Sequence, residues 1–241
     1  MGRDEDLTKK WEHALAAKHE FVVGPPALIE MVRGMVRHGK ETFSEDKKTY
    51  VWMKEHKLEV LELPRPFMAG ILHINLPAKS GVTPTHYQQL IDMVVNSASL
   101  DEFVKRCNAP DCSWGKMELL DPIHEGQIEK ELRALEDLVK QGKGLGIAER
   151  LSMTFGTPDH RPDPVVISVR FSTAIKYVET SMQKLIRGAK PRKNDRGLYV
   201  DWELLMYLAD PDIRFLTNED FSGEISKSPQ KIRIVKPCTL S

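Results

Sequence analysis

The chain has 241 residues, of which 41% are hydrophobic and 29% charged, enough apolar material for a real core and too much for wholesale disorder. Lys plus Arg and Asp plus Glu both number 35, so global charge favours no polyanionic partner and any nucleic-acid site must be a local patch. Cys107, Cys112 and Cys238 are too few for a disulfide framework and no apolar run approaches a membrane span, so a cytoplasmic protein with free thiols and no membrane association is expected.

In chain order, Leu7 to Lys18 reads as a helix with Leu7, Trp11, Ala14 and Leu15 on one face. The N-terminal MGRDEDLTKKWEH is charged and lacks a signal-peptide core. Glu20 to Val23 reads as a short strand ended by Gly24-Pro25-Pro26. A helix from Pro26 to His38 follows, with Leu28, Met31, Val32 and Met35 apolar and Pro suited to its first turn. Thr42 to Glu55 is a charged helix, and Leu58 to Leu63 alternates as a strand closed by Pro64 and Pro66. That order suggests a layered sheet with helices on its faces.

Residues 67–190 read as mostly helical: His86 to Ala98, Leu100 to Cys107, Glu125 to Gln141 with Ile128, Leu132, Leu135 and Leu138 at helical spacing, and Val165 to Arg187. Trp and Met residues at helical spacing read as core. The end returns to mixed structure: a helix over Val200 to Ala209, a break at Asp210-Pro211-Asp212, a strand over Ile213 to Leu216, a short helical turn from Thr217 to Ser222, and a last strand over Lys231 to Val235.

Hydrolysis of a phosphodiester by two metal ions needs several carboxylates converging on one pocket. In an α/β sheet such a pocket forms at the carboxyl ends of the strands. Three places have acids there: Glu30 after the strand EFVV, Asp201 at the start of the helix before IRFL, and Glu219 with Asp220 after IRFLTN. Each also has a plain structural explanation. Glu30 shares its helix face with Arg33 and Arg37, Asp201 suits a helix N-terminus, and Glu219 and Asp220 suit a cap. Gly34, beside Glu30, costs helix stability and suggests close approach of another backbone.

The segments FVVGPPALIEMVRGM (Phe21 to Met35) and DWELLMYLADPDIRFLTNEDF (Asp201 to Phe221) resemble the PIN-domain family of metal-dependent ribonucleases. The first is similar to its strand, turn and acid-bearing helix. The second is similar to its C-terminal pattern, an Asp opening a helix and a strand ending in Thr-Asn-acid with Phe just after. The resemblance implies a three-layer α/β/α sandwich around a mainly parallel sheet, a single domain over 1–241 with a helical insertion at 67–190. It implies Mg²⁺ or Mn²⁺ held by Glu30, Asp201 and Glu219, with Asp220 a rival, and Thr217 and Asn218 orienting a carboxylate or water. It implies water attack on RNA, leaving 5′-phosphate and 3′-hydroxyl ends.

The chain departs from the family in one respect. No hydrophobic strand ending in Asp precedes Leu7, so either the start lies downstream of the family's, which is the favoured expectation, or the chain is a degenerate member. The basic run Lys184, Arg187, Lys190, Arg192, Lys193 and Arg196 is the place for RNA phosphate contacts, or a solvated basic loop. By analogy with toxin–antitoxin members, a cognate inhibitor protein and a homodimer are the further partners expected. Two other classes stay open: a non-catalytic PIN-like module binding RNA or protein, and a helical–α/β scaffold or regulatory protein with no nucleic-acid role. Cys107 and Cys112 lack the further ligands of a zinc site, and the glycines of QGKGLGIAER lack a P-loop Lys-Ser/Thr.

Overall fold

The computed structural model describes residues 12, 20–74, 83–112, 122–142, 146–155, 161–188, 195–216, 221, 225 and 234–235. The expected helix over Leu7 to Lys18 lies, Glu12 apart, outside them. The chain divides into two compact units, one of Met1–Leu63, Ser80–Pro122 and Pro237–Ser241, the other of Pro64–Lys79 and Ile123–Lys236. Residues 67–190 are thus shared between the two units.

In the first unit, β1 (Val22–Val23) lies parallel to β2 (Glu59–Val60), with Val22 opposite Glu59. Between them run α1 (Pro25–His38) and α2 (Phe43–Glu55). Pro25 and Pro26 occupy the first turn of α1, where their missing N–H groups cost nothing. Leu28, Val32 and Met35 then recur at helical spacing, and all three are fully buried. They pack with Tyr50 and Met53 of α2, with Leu90, Ile91 and Val94 of α4 (Pro84–Asn96), and with Phe103 of α5 (Leu100–Cys107). Burying each such side chain stabilises the unit by roughly 1.5–3 kcal/mol before the entropy of ordering it. Local capping sets the helix starts: Ser99 Oγ accepts from Glu102 N at 3.2 Å, and Thr83 and His86 form a reciprocal box. A Cβ at Gly34 would meet only His38 Cε1, at 3.9 Å, so no close backbone approach explains that glycine.

The second unit contains α3 (Pro64–Ile71), α6 (Pro122–Lys140), α7 (Gly146–Phe155), α8 (Pro164–Arg170), α9 (Ser172–Ile186) and α10 (Asp195–Met206). A 3₁₀ turn over Tyr207–Ala209 extends α10, and β3 (Phe215–Leu216) pairs parallel with β4 (Ile234–Val235). Leu135, Ile167, Phe171, Ala174, Val178, Leu205 and Leu208 form its dry centre. The apolar-striped segment over Val165 to Arg187 forms two helices: Phe171, at φ −105° and ψ 25°, separates them, and Asp163 Oδ1 caps the first by accepting from Val165 N at 2.8 Å. The break at 210–212 is as expected, an Asx turn in which Asp212 N donates to Asp210 Oδ1 at 2.9 Å.

The three-layer α/β/α sandwich with a mainly parallel sheet is overturned. The described residues are mostly helical, and their strands form two separate two-stranded parallel pairs. The cause is strand length. LEVLEL is stopped at its carboxyl end by Pro64, which starts α3, and only Glu59 and Val60 pair. Two residues per strand offer too little surface to form a layer, so the helices bury their apolar faces on one another.

Candidate functional site

The four expected acids do not fall in one unit. Glu30 is partly buried on α1 in the first unit, whereas Asp201 belongs to the second. Thr217, Asn218, Glu219 and Asp220 lie outside the described residues. Of the basic run, Lys184 is partly buried on α9 and Arg187 is exposed just after it. Arg196 falls on α10, and Lys190, Arg192 and Lys193 lie outside the described residues.

Asp201 does not open its helix, which starts at Asp195. It is only 6% exposed, and its Oδ2 accepts a 2.8 Å hydrogen bond from the hydroxyl of Tyr177 on α9. The ring of Tyr177 meets that of Phe221 edge-on at 5.4 Å, and Phe221 in turn lies 5.9 Å from Phe215 of β3. One tyrosine side chain therefore links Asp201 to the residue that follows Glu219 and Asp220. β3 ends at Leu216 and pairs parallel with β4. Among the described residues no group of three or more His, Cys, Asp or Glu side chains stands ready to hold a metal ion. Asp201 is the one described acid of the second unit that fits the expected metal set. The described residues do not make a metal site without Glu219 or Asp220.

A cavity of about 390 Å³ opens elsewhere in the second unit. Tyr199, Trp202, Glu203 and Met206 of α10 line it, a spacing of three and four that puts them on one helix face. Facing them are Ile128, Lys130, Glu131 and Leu135 of α6, Ile147, Arg150, Leu151 and Thr154 of α7, and Pro64, Arg65 and Met68 of α3. Arg150 donates to Glu131 Oε2 at 2.6 and 3.3 Å, and Arg65 donates to the Thr154 carbonyl at 3.2 Å. The rings of Tyr199 and Trp202 meet edge-on at 5.6 Å. Burial pushes the Glu203 carboxyl up to about 7, against the pull of the Tyr199 hydroxyl that donates to it. Burial, with Glu203 and Glu131 nearby, pushes the Tyr199 hydroxyl upward too.

This cavity is what sequence reasoning missed. Trp202 and Met206 are core, as expected, and the signal that marks the cavity is Glu203, an acid on the same helix face as both. In the first unit, Cys107 is buried, and burial with Cys112 nearby pushes its thiol up to about 12, while the Cys112 thiol contacts Met93 Sδ at 3.8 Å. Both are free thiols.

No protein-family model matches the chain, and no curated protein or solved structure matches it either. Its own geometry defines its class: the described residues are mainly helical and fall in two units, and among them each unit has one short parallel strand pair. Among the described residues no helix is long and apolar enough to cross a membrane.

Proposed function

We propose that the chain is a metal-dependent endoribonuclease whose acids converge in the second unit. The observation that supports this is the Asp201–Tyr177–Phe221 link, in which one tyrosine side chain meets both an acid of α10 and Phe221. Asp201 with Glu219 or Asp220 would hold Mg²⁺ or Mn²⁺ in the second unit. Such a cation supplies the positive charge that activates a water and offsets charge on the phosphate. Tyr177 fixes the orientation of the Asp201 carboxylate, as partners of metal ligands do. Lys184, Arg187 and the basic residues that follow would neutralise RNA phosphates. The free thiols Cys107 and Cys112 support a reducing, cytoplasmic setting. A cognate inhibitor protein and a homodimer belong to the same reading.

The test is Mn²⁺-dependent cleavage of a pool of single-stranded and structured RNA, with Asp201→Asn and a Glu219→Gln/Asp220→Asn double variant beside the parent. Cleavage by the parent, lost in both variants, is expected. A second reading rests on the burial of Asp201 and the tyrosine already on its Oδ2: a degenerate module that binds RNA without cutting it. RNA binding by a parent that never cleaves selects that reading. Cleavage that survives Asp201→Asn refutes the first.

A further inference from the structure

Helix α8 of the second unit is apolar on both sides. Ile167 is fully buried in that unit's core. Val165 and Val169 stand two residues to either side of it, about 200° round the helix, and Val166 lies between them and Arg170. All three valines are exposed, Val169 at 66%. Among the described residues they are three of the six large hydrophobics open to solvent, within a helix of 7 residues. Valine gains nothing on a solvated helix face, where its branched side chain loses freedom without burial. The hydroxyl of Ser168 donates to the Val165 carbonyl at 2.8 Å, so it is held by the helix's own backbone. A fourth exposed hydrophobic, Met153, stands near the end of α7. Ser152 beside it donates to the Pro162 carbonyl at 2.6 Å, which ties that end of α7 to the start of α8. The four side chains open on the order of 400 Å² of mostly apolar surface, the scale on which a patch marks an interaction site. A helix apolar all round is one that something covers.

Charge says what covers it. Asp163 caps the start of α8 and Arg170 ends it, about 10 Å further on. Arg161 is exposed too, but it precedes Pro162 and stands outside the helix. A stripe with an acid at one end and a base at the other is its own complement when turned end for end. Two α8 helices laid antiparallel set each Asp163 beside the other copy's Arg170, with valines meeting between them. The same turn brings each helix N-terminus to the other's C-terminus, which their dipoles favour. A parallel pair would set acid against acid and base against base. We propose that this face is an interface between two copies of the chain, an isologous contact with antiparallel α8 helices at its centre and Met153 at its edge. The apolar patch supplies about half of the roughly 800 Å² per partner that a standard interface buries, so the dimer is of micromolar strength. This gives a surface to the homodimer of the reading above, but it rests on α8 alone and stands apart from RNA cleavage.

The test is sedimentation equilibrium of the full chain, without RNA or metal, from about 1 to 300 μM, where a monomer–dimer equilibrium with Kd in the tens of micromolar, roughly, is expected. Val169→Lys, an exposed change that spares the fold, should raise Kd at least about thirtyfold, because a two-fold contact loses each valine twice. Asp163→Arg and Arg170→Asp should each weaken self-association about tenfold, since each sets like charges together at both ends. Mixed in equal amounts, those two variants should form a heterodimer within about threefold of the parent's Kd, because every end then meets its opposite. The mixture also controls for the helix cap that Asp163→Arg removes, which mixing cannot restore. A chain monomeric throughout overturns the proposal and leaves the stripe to a partner of another kind. A dimer indifferent to Val169→Lys, or a mixture that associates no more tightly than its components, overturns it as well.

Discussion

Glu203→Gln should flatten the pH dependence of stability. The Glu203 carboxyl is held at about 7 in the folded chain, against an ordinary value of 4.5, because burial disfavours its charged form. The folded state therefore holds its proton more tightly than the unfolded state. Below pH 4.5 both states are protonated and stability is whole. As pH rises the unfolded chain gives up the proton first, so stability falls until the folded chain has lost it too, just above 7. At roughly 1.4 kcal/mol per pKa unit, the loss across that window is about 3 kcal/mol. This is an upper figure, since Glu203 keeps part of its surface open to the cavity. Gln cannot ionise, yet its carbonyl still accepts from Tyr199. The assay is urea unfolding of parent and variant at several pH values between about 5 and 8, in EDTA so that no metal at Asp201 contributes. The stability of the parent relative to the variant should fall by 1–3 kcal/mol, roughly, across that span. Parallel curves would show that Glu203 is not desolvated and that the cavity is open water.

Tyr177→Phe removes the hydroxyl that donates to the buried Asp201 Oδ2 and should lower stability by about 1–3 kcal/mol, read from thermal melts; no change would mean that water replaces the hydroxyl. Phe103→Ala empties a fully buried position in the first unit and should cost about 3–5 kcal/mol in urea unfolding, whereas the exposed Glu129–Arg133 pair should be worth well under about 1 kcal/mol by a double-mutant cycle. In a Cys238→Ser background at about pH 8, Cys112 should react with a disulfide reagent well before Cys107, whose buried thiol should become reactive only on unfolding. Equal rates for the two would contradict that burial.

The helices were the legible part of the fold. Leu28, Val32 and Met35, or Ile128, Leu132 and Leu135, announce their faces by spacing alone, and all are buried. The sheet was misread because short alternating runs such as LEVLEL carry the period of a strand but not its length. Pairing is decided by distant partners, and here Val60 finds only Val23 before Pro64 begins a helix. The site divides in the same way. Asp201 was visible as an acid beside a strand, but its partner Tyr177 lies 24 residues away and no local pattern announces it. Glu203 gives no local signal because an acid within two residues of Asp201 blends into the polar face of a helix, whereas it lines a cavity that residues of three other helices also line.

α10 carries both Asp201 and the cavity face, and the helical period keeps them apart. Tyr199, Trp202, Glu203 and Met206 share the cavity face, while Asp201, turned by about 100° from Trp202 and about 200° from Glu203, reaches Tyr177 on α9. A change at Glu203 or Lys130 therefore leaves the Asp201–Tyr177 hydrogen bond in place, and Tyr177→Phe leaves every cavity-lining side chain in place.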